Sequence, residues 1–136
     1  MSRGAGTKLE VQIITSTQQY DELIQASHDR LVIVDLHMDW CGPCAALVPT
    51  FNKVLTDYDD ANERVVFASC DYEKLQEKVQ STLPTDTPVR LSKHGCLPVQ
   101  AVYRFGANIG LLVGVDGPAL LAIIDINIPA LKDKAE

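Results

Sequence analysis

Residues 31–44 read LVIVDLHMDWCGPC: a nearly unbroken, β-branched apolar run followed by two thiols three positions apart. A run of that kind suits a strand covered on both faces. Behind it Cys44, Leu47, Val48, Phe51, Val54, Leu55 and Tyr58 recur at helical spacing, so the chain passes from a buried strand to a helix with Cys41 at the helix N-terminus. Pro49 lies inside that pattern and predicts a kink.

This placement dictates chemistry. Unpaired N–H groups and the positive end of the helix dipole stabilise a thiolate at Cys41 and lower its pKa. Cys44 falls one turn later on nearly the same face, within reach of a mixed disulfide on Cys41. Gly42 and Pro43 let the turn close while fixing its shape. A zinc site needs a second pair of ligands. His37, Cys70, His94 and Cys96 are available for it, but no second C-x-x-C exists. Two merely packed cysteines fit poorly, because the motif exposes them before a helix instead of burying them within one. A redox-capable pair without a metal is the reading.

Outward from this centre, the chain alternates strands and helices. KLEVQII (8–14) reads as a strand with Leu9, Val11 and Ile13 on one side. Ser16 followed by Gln19 is a capping-box pattern, opening a helix with a stripe of Tyr20, Leu23 and Ile24. RVVFASC (64–70) reads as a second buried strand, and a helix is expected from Tyr72 to about Leu83 with Leu75 and Val79 inward. From Thr82 to Gly95 the pattern dissolves into a proline-containing loop. VQAVYRF (99–105) and GLLVGV (110–115) predict a hairpin with its turn around Gly106 to Gly110. DGPALLAIIDINI predicts a closing helix with Pro118 in its first turn. The order implies an α/β fold: a mixed sheet, early strands parallel and a C-terminal antiparallel hairpin, packed between helices. One domain is expected over 8–130, with a flexible stretch at 1–7, an insertion loop at 80–95 and a tail at 131–136.

Composition excludes several classes. The 136 residues, 46% hydrophobic and 22% charged, suffice for one core and not two. A net charge of −6 with acids and bases interspersed argues against a nucleic-acid partner. The longest apolar run, ALLAIIDINIPAL (119–131), carries Asp125 and Pro129. It falls short of the roughly 20 residues a membrane span needs. MSRGAGTKLE at the N-terminus has no apolar core of a secretory signal. A cytoplasmic chain is expected.

The stretch VDLHMDWCGPC resembles the active-site strand and turn of the thioredoxin family, and CLP at 96–98 resembles that family's cis-proline loop. The spacings from Pro98 to Gly106 and Gly114 fit the thioredoxin hairpin without a gap. The resemblance spans roughly residues 8–130. It implies the thioredoxin fold, with Cys41 as nucleophile, Cys44 as resolving thiol and a reversible Cys41–Cys44 disulfide as the only redox group. It implies further that Trp40, Gly42 and Pro43 shape the site, that Asp35 is the buried acid assisting proton transfer at the resolving thiol, and that Leu97 and a cis Pro98 form the edge where an extended substrate pairs. Inside VIVDL a carboxyl group is buried, which disfavours its charged form.

Departures from the pattern are also visible. Phe67 stands where the family commonly has a lysine near the acid, and His37 replaces an aromatic. His37 reads as a partly exposed packing residue, with no carboxylate partner evident. Cys96 is expected near the Cys41 face as a packing residue or modulating thiol, and Cys70 as a core hydrophobe. The segment between Asp71 and Pro98 is about a dozen residues longer than in compact thioredoxins. Three segments, KLEVQIITSTQQYDELI, the C-x-P of the proline loop and GVDGPALL, resemble the thioredoxin-type light chains of ciliary outer-arm dynein. That likeness implies a subunit of the axoneme, in a cilium or flagellum, bound to a dynein heavy chain or another outer-arm subunit. The alternative is a free cytosolic disulfide reductase recycled by thioredoxin reductase.

Overall fold

A computed structural model describes residues 10–37, 47–84, 99–114 and 116–130. Five strands form one sheet: β1 (Val11–Ile14), β2 (Leu31–His37), β3 (Val65–Asp71), β4 (Val99–Arg104) and β5 (Ala107–Val113). Their order is β1-β3-β2-β4-β5, with β1, β3 and β2 parallel and β4 antiparallel to both β2 and β5. Around it lie α1 (Thr17–Ala26), α2 (Val48–Asp57), a single turn α3 (Ala61–Arg64), α4 (Gln76–Ser81) and α5 (Gly117–Asn127).

The alternation of β2 sorts the core into two layers. Val32, Val34 and Leu36 pack on one face with Tyr20 and Leu23 of α1 and Val79 of α4. Leu31 and Ile33 pack on the other with Leu47, Phe51 and Val54 beside α2 and Leu120 and Ile124 of α5. Both faces of the central strand are therefore covered, as its unbroken apolar run requires. At α1 the capping box forms as expected: Gln19 N donates to Ser16 Oγ at 3.2 Å, and Ser16 N to Gln19 Oε1 at 3.2 Å. Asp116 caps α5 by accepting from Ala119 N at 3.0 Å, with Pro118 in the first turn.

Several boundaries differ from the sequence reading. The edge strand β1 points Ile13 outward, 58% exposed, and buries Ile14 instead, because only one side of its end is covered. Arg64 belongs to α3, not to β3. The helix expected over 72–83 is confined to Gln76–Ser81, after a turn at Tyr72–Leu75, although Leu75 and Val79 are buried as expected. Pro49 sits in the first turn of the described part of α2, where a missing N–H costs no hydrogen bond. A kink there would involve residues before 47, outside the described residues. The hairpin turns at Phe105–Gly106 rather than over 106–110. Both residues have positive φ, 57° and 79°, the geometry of a two-residue turn that matches strand twist. Strand β5 therefore begins at Ala107, and an irregularity in pairing at Val102/Tyr103 is bridged by Asn108 Nδ2, which donates to Val102 O and Gly110 O.

Candidate functional site

Strand β2 ends at His37 and α2 begins at Val48; residues 38–46, with Trp40, Cys41, Gly42, Pro43 and Cys44, lie between them and outside the described residues. Cys96, Leu97 and Pro98 lie there too, as does most of the 80–95 loop. Asp35 is described. It stands third from the end of β2, 4% exposed, on the face that α2 and α5 cover. Strand parity puts it on the same side as Ile33 and Leu31, toward the helix that follows the cysteine pair in sequence. Its neighbours across the sheet are set by register: Ser69 of β3 on one side and Gln100 of β4 on the other.

Three buried polar side chains thus lie in one row across the sheet, among apolar neighbours on this face. Ser69 is 1% exposed and Gln100 is fully buried. Neither Ser69 Oγ nor the amide oxygen and nitrogen of Gln100 has a hydrogen-bond partner among the described residues. Phe67, expected beside the acid, lies one step back along the same face, opposite Ile33. Its ring stacks on Phe51 with centroids 4.2 Å apart, so it contributes packing, while Ser69 is the β3 residue opposite Asp35.

One step further toward the strand ends, the register sets Asp71 opposite His37, supplying the carboxylate neighbour that no local sequence pattern reveals. Lys74 Nζ lies 3.9 Å from Asp71 Oδ2. These three residues, with Ile13 and Ser69, border a pocket of about 190 Å³ at the C-terminal ends of β1, β3 and β2.

Cys70 faces the opposite layer. It is buried, and burial followed by the charge of Asp71 pushes its thiol up to about 12. It behaves as the core hydrophobe expected, inert at neutral pH. Near it Tyr20 and Tyr103 share a 2.6 Å hydroxyl contact, and Tyr103 also meets Thr82 Oγ1 at 2.7 Å. Burial, above all, raises both phenols above their ordinary value. Among the described residues no three of His, Cys, Asp and Glu gather as a metal site, and no helix is long and apolar enough to cross a membrane.

The thioredoxin family model matches residues 11–94, which carry both the buried acid and the cysteine pair. The chain belongs to the thioredoxin family. Rat thioredoxin is 30% identical over 114 residues, covering 84% of this chain and 95% of that protein. Thioredoxin 1 of Plasmodium falciparum is 29% identical over 115 residues, covering 85% and 95%. The solved structure of Plasmodium falciparum thioredoxin superposes with a TM-score of 0.58 at 28% identity, over 85% of this chain and 98% of that one. For the fold alone, a chain from the solved complex of ferredoxin:thioredoxin reductase with thioredoxin f2 gives a TM-score of 0.60 at 20% identity, over 86% and 94%. The thioredoxin fold, with its mixed five-stranded sheet, is therefore shared.

Of the residues singled out by sequence, the described structure places Asp35, His37, Phe67 and Cys70. Gln100 and Ser69 were missed. Their signal is faint but present: each is a lone uncharged polar residue inside an apolar strand, in VQAVY and VVFASC.

Proposed function

We propose that the chain is a thiol–disulfide exchange protein acting through Cys41 and Cys44. The observation that carries this reading is Asp35, a carboxyl group buried at the end of the central strand, on the face covered by the helix that follows the pair. Burial disfavours the charged form of a carboxyl group, so an acid held on this face suits the uptake of a proton from the resolving thiol. The Cys41 thiolate attacks one sulfur of a substrate disulfide and expels the first substrate thiol. Cys44 then gives its proton to the Asp35 carboxylate and attacks the Cys41 sulfur. The second substrate thiol leaves, and the chain holds a Cys41–Cys44 disulfide. A dithiol or a thioredoxin reductase returns the two electrons. The solved complex of ferredoxin:thioredoxin reductase with thioredoxin f2, similar to this chain in fold, favours a reductase as the recycling partner. No cofactor or metal beyond the cysteine pair is required. Trp40, Gly42 and Pro43 shape the site, Leu97 and Pro98 offer the substrate-pairing edge, and Cys96 is a candidate modulating thiol.

Insulin reduction driven by a dithiol tests the chemistry. Cys41→Ser is expected to abolish it, and Cys44→Ser to accumulate mixed disulfides on Cys41. Wild-type rates in both single variants would sink the reading.

Two cellular settings follow. A free reductase is supported by relatives that are themselves whole thioredoxins, about 95% covered by this chain. A light chain of axonemal outer-arm dynein, bound to a heavy chain or another outer-arm subunit, is supported by the segments around 8–24, 96–98 and 114–121. In that setting the 80–95 loop and the rim at Trp40 and Pro98 are the docking candidates. Sedimentation with axonemal dynein at moderate salt separates the two. Consistent absence from the axoneme removes the dynein role and leaves the free reductase.

A further inference from the structure

Gln100 is the least expected residue of the polar row. It is fully buried in β4, directly across from Asp35, and both polar atoms of its amide lack a hydrogen-bond partner among the described residues. Directly opposite residues on antiparallel strands keep their Cβ atoms about 4.5–5.5 Å apart, so a glutamine amide reaches a facing carboxyl group by turning about its own side-chain bonds. A carboxyl group offers about four acceptor sites when ionised and a donor when protonated, so it has capacity for this neighbour alongside any other.

We propose that Gln100 is a positioning residue for Asp35, an amide that serves the carboxyl group in both of its protonation states. Toward the carboxylate it donates from Nε2; toward the carboxylic acid it accepts through Oε1. A cationic neighbour in the same place would favour only the charged form. An amide follows the proton instead, so Asp35 takes the Cys44 proton during resolution and returns it afterwards without leaving a buried group unserved. This deepens, and rests on, the assignment of Cys41 and Cys44 made above.

The other groups around Asp35 leave this role open. The titratable strand neighbours on its face are His37 and Asp71, one step further along, with Lys74 beside Asp71. From the helices, Leu47, Phe51 and Leu120 pack on this face and none of them titrates. Ser69 on β3 offers a hydroxyl only.

The test is the titration of Asp35, followed by its carboxyl ¹³C signal in the reduced protein, with Gln100→Met as the variant. Methionine keeps the length and loses the hydrogen bonds. Because hydrogen bonds to a charged group are about twice as strong as neutral ones, the loss disfavours the carboxylate more than the acid. The midpoint is expected to rise by about one pH unit. The pH profile for release of a chromogenic thiol from a preformed Cys41 mixed disulfide should move upward with it. In an Asp35→Asn background, Gln100→Met should then alter that release no further. An unchanged Asp35 midpoint overturns the proposal, even if stability changes. If Gln100→Met does not fold, Gln100→Glu carries the same test: two facing carboxyl groups titrate in two separated steps, and a single unshifted Asp35 step overturns it. If the wild-type protein resolves no mixed disulfide, the thiol assignment falls, while the Asp35 midpoint still decides the role of Gln100.

Discussion

At the start of β2 and near its end, the sheet buries polar side chains in opposite ways. At the start, Arg104 donates from Nη1 to Ser27 O at 3.0 Å and His28 O at 2.9 Å, and its guanidinium lies 4.0 Å over the Phe105 ring. Phe105 N donates to Ser27 O at 2.7 Å, and Gly106 N to Ser27 Oγ at 2.8 Å. The hairpin tip is thereby locked onto the turn after α1. Near the other end, Ser69 and Gln100 flank Asp35 with no hydrogen-bond partner among the described residues. Hydrogen bonds made by a buried group add stability, and leaving one unmade costs about 1–3 kcal/mol. The first region is therefore built for stability. The second gives some stability up, which is the usual pattern of a site that must change state.

The contrast is broken most severely at Arg104. Arg104→Met removes the charge-assisted hydrogen bonds to Ser27 O and His28 O and leaves Phe105 N as the remaining donor to Ser27 O, at an expected cost of about 3 kcal/mol in urea unfolding. Insulin reduction by the molecules that remain folded should be unchanged. A variant as stable as wild type would mean that the hairpin tip contributes nothing to the fold.

Gly106→Ala comes next. Its φ of +79° disfavours any side chain, and an added Cβ would stand 2.7 Å from His28 Cε1. The imidazole can move, so the expected loss is about 1–2 kcal/mol, read as a lower thermal midpoint. A rise would show that the turn relaxes into another geometry.

The smallest effect belongs to the other end. Ser69→Ala deletes a buried hydroxyl that makes no hydrogen bond among the described residues, so stability should stay within about 1 kcal/mol of wild type, on the favourable side if anything. A loss as large as that at Arg104 would erase the distinction between the two regions.

How legible each region is in sequence follows the range of the forces that build it. The α1 cap, the unbroken run of β2, the α5 start at Asp116–Pro118 and the identity of Asp35 as an acid inside a buried strand all depend on residues a few positions apart. Local spacing was enough to read them. The turn at Phe105–Gly106 was misplaced because its positive φ at a phenylalanine is held by Ser27, 78 residues away in the chain, and propensity alone disfavours it. The inward turn of Ile14 in place of Ile13 was likewise decided by what covers the edge strand, not by alternation.

The same division runs through the candidate site. By itself the sequence determined the pair at 41 and 44, the acid six residues before Cys41, and the family to which such a strand and turn belong. Those are matters of order along one segment. Only the tertiary structure decided what stands beside the acid, because parallel pairing of β2 with β3 and antiparallel pairing with β4 are set by the register of three separate strands. A shift of one residue would have placed Ser69 and Gln100 on the opposite face. The buried contacts of both core layers hold that register, and so it is packing across the sheet that faces a serine and a glutamine, distant in sequence, toward Asp35.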